Sequence, residues 1–123
     1  MPSIRVQQVQ ETVKRAFSMV LQQEGSYIYR DAFVTVTKVD VSPDLSTAKI
    51  YVSVFNSDNK QAVLLEIEDN HHRLKKSLSH RLRKHIRRIP EFKVYLDDTL
   101  DEMYRLNDLF DRLHQENQMG EEE

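Results

Sequence analysis

The side chains best suited to chemistry lie in one stretch, residues 71–90, which reads HHRLKKSLSHRLRKHIRRIP. It holds eight lysines and arginines, four of the five histidines and no acidic residue. Outside it, 10 basic residues remain against all 20 acids, so the formal net charge of −2 conceals a strong separation of charge. Because fixed cations displace the counterions condensed on a polyanion, we predict that this stretch binds one.

The same stretch has the period of an amphipathic helix that ends at Pro90, since the residue before a proline is driven out of the helical conformation. Its apolar residues recur every four positions, as a buried stripe requires: Leu74, Leu78, Leu82 and Ile86. The predicted phosphate contacts lie opposite this stripe or beside it: Arg73, Lys75, Lys76, His80, Arg81, Arg83, Lys84, Arg87 and Arg88. An ordinary solvated face is the alternative, but such a face usually mixes charges to gain i,i+4 pairs.

The histidines and serines of this stretch do not form a catalytic or metal-binding pattern. His71 and His72 are adjacent and diverge, and His80 and His85 are five residues apart, so neither pair converges on one side of a helix. No serine beside His80 has the elbow or oxyanion loop of a nucleophile, and two glycines in the whole chain cannot build a phosphate-cradling loop. We therefore expect no enzyme activity, no cofactor and no metal.

The composition is typical of a single soluble domain. A chain of 123 residues can bury one modest core, and it has no apolar run long enough to span a bilayer and no secretory signal. Cysteine is absent, which excludes disulfides and is compatible with a reducing compartment. We expect a cytoplasmic monomer.

The elements that precede the basic stretch are a helix, a hairpin and a second helix. Ser3 is the predicted N-cap of the first helix, which should end near Gly25. Residues 32–41 and 49–55 are rich in β-branched residues and predict an antiparallel hairpin closed by a Ser-Pro-Asp turn. The second helix is predicted from residue 59 to about residue 69.

Two aromatic residues of the hairpin, Tyr51 and Phe55, lie on the face of the second strand opposite its apolar side chains. They could stack on nucleobases, or pack against a neighbouring helix or strand. Packing is the favoured interpretation.

A third strand and a last helix follow the basic stretch. Alternating apolar residues predict a strand around 92–96, and a capping box at 99–102 opens a helix over 99–115. Residues 116–123 are predicted to be an acidic disordered tail. The predicted fold is α+β, in the order α-β-β-α-α-β plus a C-terminal helix, with a three-stranded sheet and helices packed on one face.

Two segments resemble a known family. The run VDVSPDLSTAKIYVSVF at 39–55 resembles the signature hairpin of bacterial ribosome-binding factor A. The run IPEFKVYLDDTLDEMYRLNDLF at 89–110 resembles the Pro-Glu strand and the Ser/Thr-Leu terminal helix of the same family. The first helix and the basic helix fall in the matching places, so the resemblance covers nearly the whole chain.

This resemblance implies a type II KH-like domain over residues 1–115. It also implies a non-enzymatic assembly factor that binds the small ribosomal subunit and its rRNA during late maturation and cold adaptation. Where other KH modules carry a GXXG loop, this family carries an Ala-x-Gly kink, which here falls at Asn70, His71 and His72 and lacks the glycine. RNA recognition is then expected from the positive helix and from the polar side chains of the kink.

Two other functions could use the same basic helix. A DNA-binding regulator would place it in a major groove and would need base-reading Asn or Gln on its positive face. A protein–protein interaction module would dock it on an acidic partner, or on the acidic residues from 91 onward, which count 11 acids against 3 bases. A face made almost wholly of Lys, Arg and His favours contacts with a phosphate backbone.

Overall fold

The computed structural model describes residues 3–30, 32–55 and 58–97. These residues form six elements: α1 (Ile4–Ile28), β1 (Phe33–Val41), β2 (Thr47–Phe55), α2 (Lys60–Asp69), α3 (His71–Leu82) and β3 (Glu91–Leu96). The predicted order is confirmed as far as β3. The helix predicted at 99–115 and the tail predicted at 116–123 lie outside the described residues, so the domain boundary at residue 115 stays a prediction.

The three strands form one mixed sheet in the order β1-β2-β3. β1 pairs antiparallel with β2, and β2 pairs parallel with β3, so that Val39 lies opposite Ile50 and Ile50 opposite Val94. A bulge at Thr37 shifts the register of β1, and the Thr37 hydroxyl donates to a carboxylate oxygen of Asp97 at 2.5 Å. The end of β3 is thereby tied to the far edge of the sheet.

The turn between β1 and β2 is held by the carboxylate of Asp44. The hydroxyls of Ser42 and Ser46 each donate to Asp44 Oδ1 at 2.7 Å, and the Ser46 backbone N–H donates to the same oxygen at 3.1 Å. These hydrogen bonds, with that from Ser42 the largest cause, lower the pKa of Asp44 from 3.8 to about 2. Leu45 takes a left-handed conformation, with φ of 62°. The predicted hairpin and its turn are confirmed.

The core lies on one face of the sheet, beneath the helices, as predicted. The buried side chains come from every element: Val9, Val13 and Phe17 of α1, Val39 of β1, Ile50 and Val52 of β2, Ile67 of α2, Leu74 and Leu78 of α3, and Val94 of β3. Each fully buried aliphatic or aromatic side chain stabilises the fold by about 1.5–3 kcal/mol relative to exposure.

On the opposite face of the sheet, Tyr51 stacks on Tyr95 of β3, with ring centroids 5.5 Å apart. This contact confirms the packing interpretation for Tyr51.

The first helix begins where predicted but ends later. Ser3 is its N-cap, with Oγ accepting from Val6 N at 3.1 Å. The end predicted near Gly25 is wrong, because α1 continues through Gly25 to Ile28. Gly25 is buried in the helix, and the space that its missing side chain leaves is filled by the ring of Tyr29. Arg30, with φ of 53°, makes the left-handed turn out of the helix instead.

The basic helix ends earlier than predicted. α3 stops at Leu82, whose carbonyl oxygen accepts from His85 N at 2.9 Å and from Ile86 N at 2.8 Å in a closing turn. Residues 83–90 then cross to the sheet, where the Glu91 N–H donates to the Ser46 carbonyl oxygen at 2.9 Å and starts β3. Ile86 is still buried, so the apolar period continues although the helix does not.

Charge repulsion and chain direction both explain this early end. A helix continued to Pro90 would set Arg83 against Arg87 and Lys84 against Arg88 at i,i+4 spacing, and each such like-charge pair is unfavourable. β3 must also run parallel to β2, so the chain needs an extended segment to cross from the end of α3 to the start of β3. The apolar period alone could not reveal either constraint.

Within the described parts of the chain, none of the helices combines the length and apolarity that crossing a membrane would require.

Candidate nucleic-acid interface

A one-residue kink places α3 directly after α2. Asn70 alone separates the two helices, with φ of −101° and ψ of 22°. Its side-chain Nδ2 donates to the Glu66 carbonyl oxygen at 2.8 Å and so fixes the end of α2. Because this φ is negative, any residue can adopt it, and the glycine absent from the predicted kink is not needed.

The two histidines of the predicted kink belong to the first turn of α3 and face different surroundings. The ring of His71 is half-buried and lies 4.6 Å from the ring of Phe92, measured between centroids. His72 is exposed. Across residues 3–30, 32–55 and 58–97, no three His, Asp or Glu side chains form a group that could hold a metal ion.

The buried stripe of α3 orients the basic side chains toward solvent. Leu74, Leu78 and Leu82 are each at most 1% exposed, and Ile86 is 5% exposed. Residues on the other side of the segment therefore face outward, and the following predicted contacts are exposed: Arg73, Lys76, His80, Arg83, Lys84, Arg87 and Arg88. Lys75 and Arg81 are half-buried beside the stripe, as the helical wheel indicates.

Two of the predicted contacts are already bound to carboxylates of the same chain. Arg73 Nε lies 2.6 Å from Glu24 Oε2 on α1, and Lys75 Nζ lies 2.8 Å from Glu91 Oε1 at the start of β3. The hydrogen bond from Lys75, followed by its charge, lowers the pKa of Glu91. These two pairs tie α3 to its neighbours on both sides.

The remaining cations have no carboxylate partner among the described residues. We call Lys76, Arg83, Lys84, Arg87 and Arg88 the unpaired cations, because among the described residues no carboxylate lies within salt-bridge distance of them. Arg81 makes a different contact, from Nη1 to Met19 Sδ at 3.8 Å. Five like charges within 13 residues repel one another, and an anionic partner would relieve that repulsion.

An open groove of about 850 Å³ runs between the C-terminal half of α1 and α3. It is lined by Gln23, Glu24, Arg73, Lys76, Ser77, His80, Arg81, Arg83 and Lys84. Six of the nine predicted contacts thus share one groove, whereas Lys75, Arg87 and Arg88 do not line it. Glu24 is the one acid among the lining residues, and Arg73 already neutralises it. The groove can therefore accept a chain of phosphates without meeting a free carboxylate from its described walls.

The contribution of α1 to the groove is not apparent from the amino-acid sequence. Gln23 and Glu24 line the groove, and exposed Tyr27 lies one turn beyond Glu24, with the Arg73 guanidinium carbon 5.1 Å from its ring centroid. In the sequence these residues are ordinary members of a polar helix face. Only the packing of α1 on α3 brings them to the basic residues.

Comparison with known proteins agrees with this fold. The sequence matches the family described as ribosome-binding factor A over residues 5–110. It is 34% identical over 113 residues to ribosome-binding factor A of Cytophaga hutchinsonii, a match that covers 92% of this chain and 85% of that protein.

Solved structures show the same architecture. The crystal structure of ribosome-binding factor A from Thermus thermophilus superposes with a TM-score of 0.62 and 23% identity, covering 74% of this chain and 94% of that one. A homology model of the Thermus thermophilus factor, as fitted into the cryo-EM map of a complex of ribosome-binding factor A with the 30S subunit, gives a TM-score of 0.56 and 27% identity, covering 72% and 90%. The predicted α+β, type II KH-like fold is confirmed. On the extent of the sequence match and the likeness of the fold, this chain belongs to the ribosome-binding factor A family.

Proposed function

We propose that this protein binds the small ribosomal subunit by laying rRNA phosphates along the groove between α1 and α3 and along the segment after α3 that carries Arg87 and Arg88. The observation that carries the proposal is the composition of that groove, in which five Lys or Arg side chains line the walls beside one carboxylate that is already paired. The Thermus thermophilus relative is described in a complex with the 30S subunit, which supports the same partner for this chain.

The expected contacts position the RNA rather than read its bases. Lysine and arginine side chains that meet phosphates fix the register and orientation of a nucleic acid and carry little sequence information. Each phosphate neutralised releases counterions, so affinity should fall steeply as salt is added. The choice of site on the subunit would then depend on RNA shape and on neighbouring ribosomal surfaces.

We further propose the cellular role that the family resemblance implies. The protein would act in the cytoplasm as a monomeric, non-enzymatic factor in late maturation of the small subunit, including during cold adaptation. Residues 1–115 would form its single RNA-binding domain. A factor of this kind should bind immature small subunits in preference to mature ones.

The test is co-sedimentation with immature and mature small subunits. The triple variant Lys76→Glu, Arg83→Glu, Arg87→Glu should lose more than about tenfold in affinity, because it replaces three phosphate contacts by repulsion. Its thermal unfolding should stay close to that of the unmodified protein, since all three side chains are exposed.

A matched control separates local contacts from total charge. The variant Arg5→Glu, Lys49→Glu, Lys93→Glu makes the same change of charge at exposed positions away from the groove. It should retain affinity to within about threefold. Equal losses in the two triple variants would refute the groove as the RNA site.

An acidic protein partner is the alternative, because Arg73 and Lys75 already bind carboxylates in this fold. Pull-down after nuclease treatment distinguishes an acidic protein partner from an RNA partner. Partners that disappear with the RNA support the proposed function, and partners that survive nuclease treatment support a protein interaction module. Sequence-selective binding to duplex DNA would instead support a DNA-binding regulator.

A further inference from the structure

One large aromatic side chain at the end of the groove has no structural role in the core. Tyr27 on α1 is 74% exposed, and it lies one helical turn after Glu24, which lines the groove. A single exposed apolar residue is common on protein surfaces and means little by itself. The surroundings of Tyr27 are what distinguish it.

Tyr27 is paired with a cation of the groove. The guanidinium carbon of Arg73 lies 5.1 Å from the Tyr27 ring centroid, and Arg73 Nε is held by Glu24 Oε2 at 2.6 Å. The guanidinium is therefore fixed between a carboxylate and an aromatic ring. Aromatic rings and arginine guanidinium planes are both surfaces on which proteins stack unpaired bases.

The backbone that carries Tyr27 is also held in place. Ile28 is buried, the Tyr29 N–H donates to the Gly25 carbonyl oxygen at 2.9 Å, and the Tyr29 hydroxyl donates to the Leu21 carbonyl oxygen at 3.3 Å. These contacts keep α1 helical beyond Gly25 and fix the direction of its last turn. A ring on a fixed backbone loses less conformational freedom when a ligand stacks on it.

We propose that Tyr27 and Arg73 form a stacking site for an unpaired nucleobase, so that the groove accepts single-stranded RNA in preference to duplex. The inference rests on the proposed RNA-binding function and adds to it the strandedness of the ligand. Phosphates on one side of the nucleotide lie in the groove, and its base turns onto Tyr27. Paired bases inside a duplex stack on one another, so that only the terminal pairs have a face open to the ring.

Tyr27 also provides a direct spectroscopic test, because the chain contains no tryptophan. The variant Tyr27→Trp places a single tryptophan, which can be excited apart from the remaining tyrosines, at the proposed site. Titration with short single-stranded oligoadenylate should quench its emission, whereas the same strand annealed to oligouridylate should quench it far less. Phe33→Trp is the matched control, since Phe33 is 62% exposed and does not line the groove, and its emission should not change.

Affinity measurements complete the test. Tyr27→Ala should weaken binding of single-stranded oligoadenylate about tenfold, as the removal of one base–aromatic stack does, and should leave duplex binding unchanged. Tyr27→Phe, which keeps the ring, should bind as the unmodified protein does, and Phe33→Ala should have no effect. Unchanged single-strand affinity of Tyr27→Ala, or equal quenching of Tyr27→Trp by both strands and duplex, would overturn the stacking site.

The measurements distinguish a failure of the stacking site from a failure of the proposed function. If the Lys76→Glu, Arg83→Glu, Arg87→Glu variant loses binding to single strands and duplex while Tyr27→Ala loses neither, the groove binds RNA without a stacked base, and only this inference fails. If the triple variant keeps full affinity for both, the phosphate groove itself is refuted, and the stacking site falls with it.

Discussion

The basic segment, residues 71–88, has two halves of similar charge that make different contacts. We call His71–Leu82 the helical half and residues 83–88 the loop half. In the helical half, Arg73 is paired with Glu24 and Lys75 with Glu91. In the loop half, no Lys or Arg has a salt bridge to any residue in the described part of the chain. The sequence does not distinguish these cations, but their contacts do. Arg73 and Lys75 fix α3 against its neighbours, whereas the cations of the loop half face solvent.

Paired and unpaired cations differ in the free energy that they can contribute to RNA binding. A cation that already holds a carboxylate must break or share that contact before it can meet a phosphate, whereas an unpaired exposed cation gives up only water and counterions. The loop half should therefore contribute more to RNA affinity per charge, and the paired cations should contribute mainly to orientation.

The loop half depends on one buried side chain, Ile86, which is 5% exposed. Ile86→Ala should destabilise the protein by about 2–5 kcal/mol, because it leaves a cavity beneath the loop half. Urea unfolding would measure the decrease. Leu65→Ala is the control, since Leu65 on α2 is 58% exposed and its truncation should change stability by less than about 0.5 kcal/mol. If the two variants were equally stable, Ile86 would not anchor the loop half.

The salt dependence of RNA binding should differ between the halves. Each phosphate that a cation neutralises contributes roughly 0.7–0.9 to the slope of log affinity against log salt. Neutralising the loop half with Arg83→Gln, Lys84→Gln, Arg87→Gln and Arg88→Gln should therefore reduce that slope by about three. Arg73→Gln with Lys75→Gln should reduce it by less than about one, because both cations are already neutralised. Equal changes of slope per residue would contradict the division.

The ion pair of Lys75 and Glu91 can be tested through the pKa of the Glu91 carboxyl. Lys75→Met should raise the pKa of Glu91 toward its ordinary value, because the hydrogen bond and the charge that lower it are removed. A carboxyl whose pKa is lowered by folding stabilises the fold above its unfolded pKa, and that contribution is lost as the pH falls through the folded pKa. The free energy of unfolding of the variant should therefore decrease less than that of the unmodified protein as the pH falls through the folded pKa of Glu91.

An NMR titration of the Glu91 side-chain carboxyl would measure this shift directly. RNA affinity at neutral pH should change little in the same variant. A Glu91 pKa that does not move in Lys75→Met would show that the pair is not formed in solution.

The sequence predicted those features that depend on local pattern. The four-residue period of Leu74, Leu78, Leu82 and Ile86 correctly identified the buried side of the basic segment, and the alternation in β2 identified its core face. The family resemblance correctly indicated the fold and its order of elements. The local signals are strong because an apolar period or a turn depends only on residues that are close together in the sequence.

Features that join distant residues could not be predicted in the same way. The pair of Arg73 and Glu24 spans 49 positions, and that of Lys75 and Glu91 spans 16, so neither can be inferred before the helices are packed. The end of α3 at Leu82 depends on where β3 must begin, and the end of α1 depends on a ring that occupies the space at Gly25. The groove itself exists only where α1 meets α3.

Lysine footprinting on the bound subunit tests most directly whether this groove contacts RNA. Each lysine would be acetylated with and without excess immature small subunits, and its protection measured by mass spectrometry. We predict strong protection of Lys76 and Lys84, which line the groove, and little change at Lys49 and Lys93, on the sheet face opposite the three described helices. Protection of Lys49 and Lys93 with Lys76 and Lys84 left reactive would contradict this prediction.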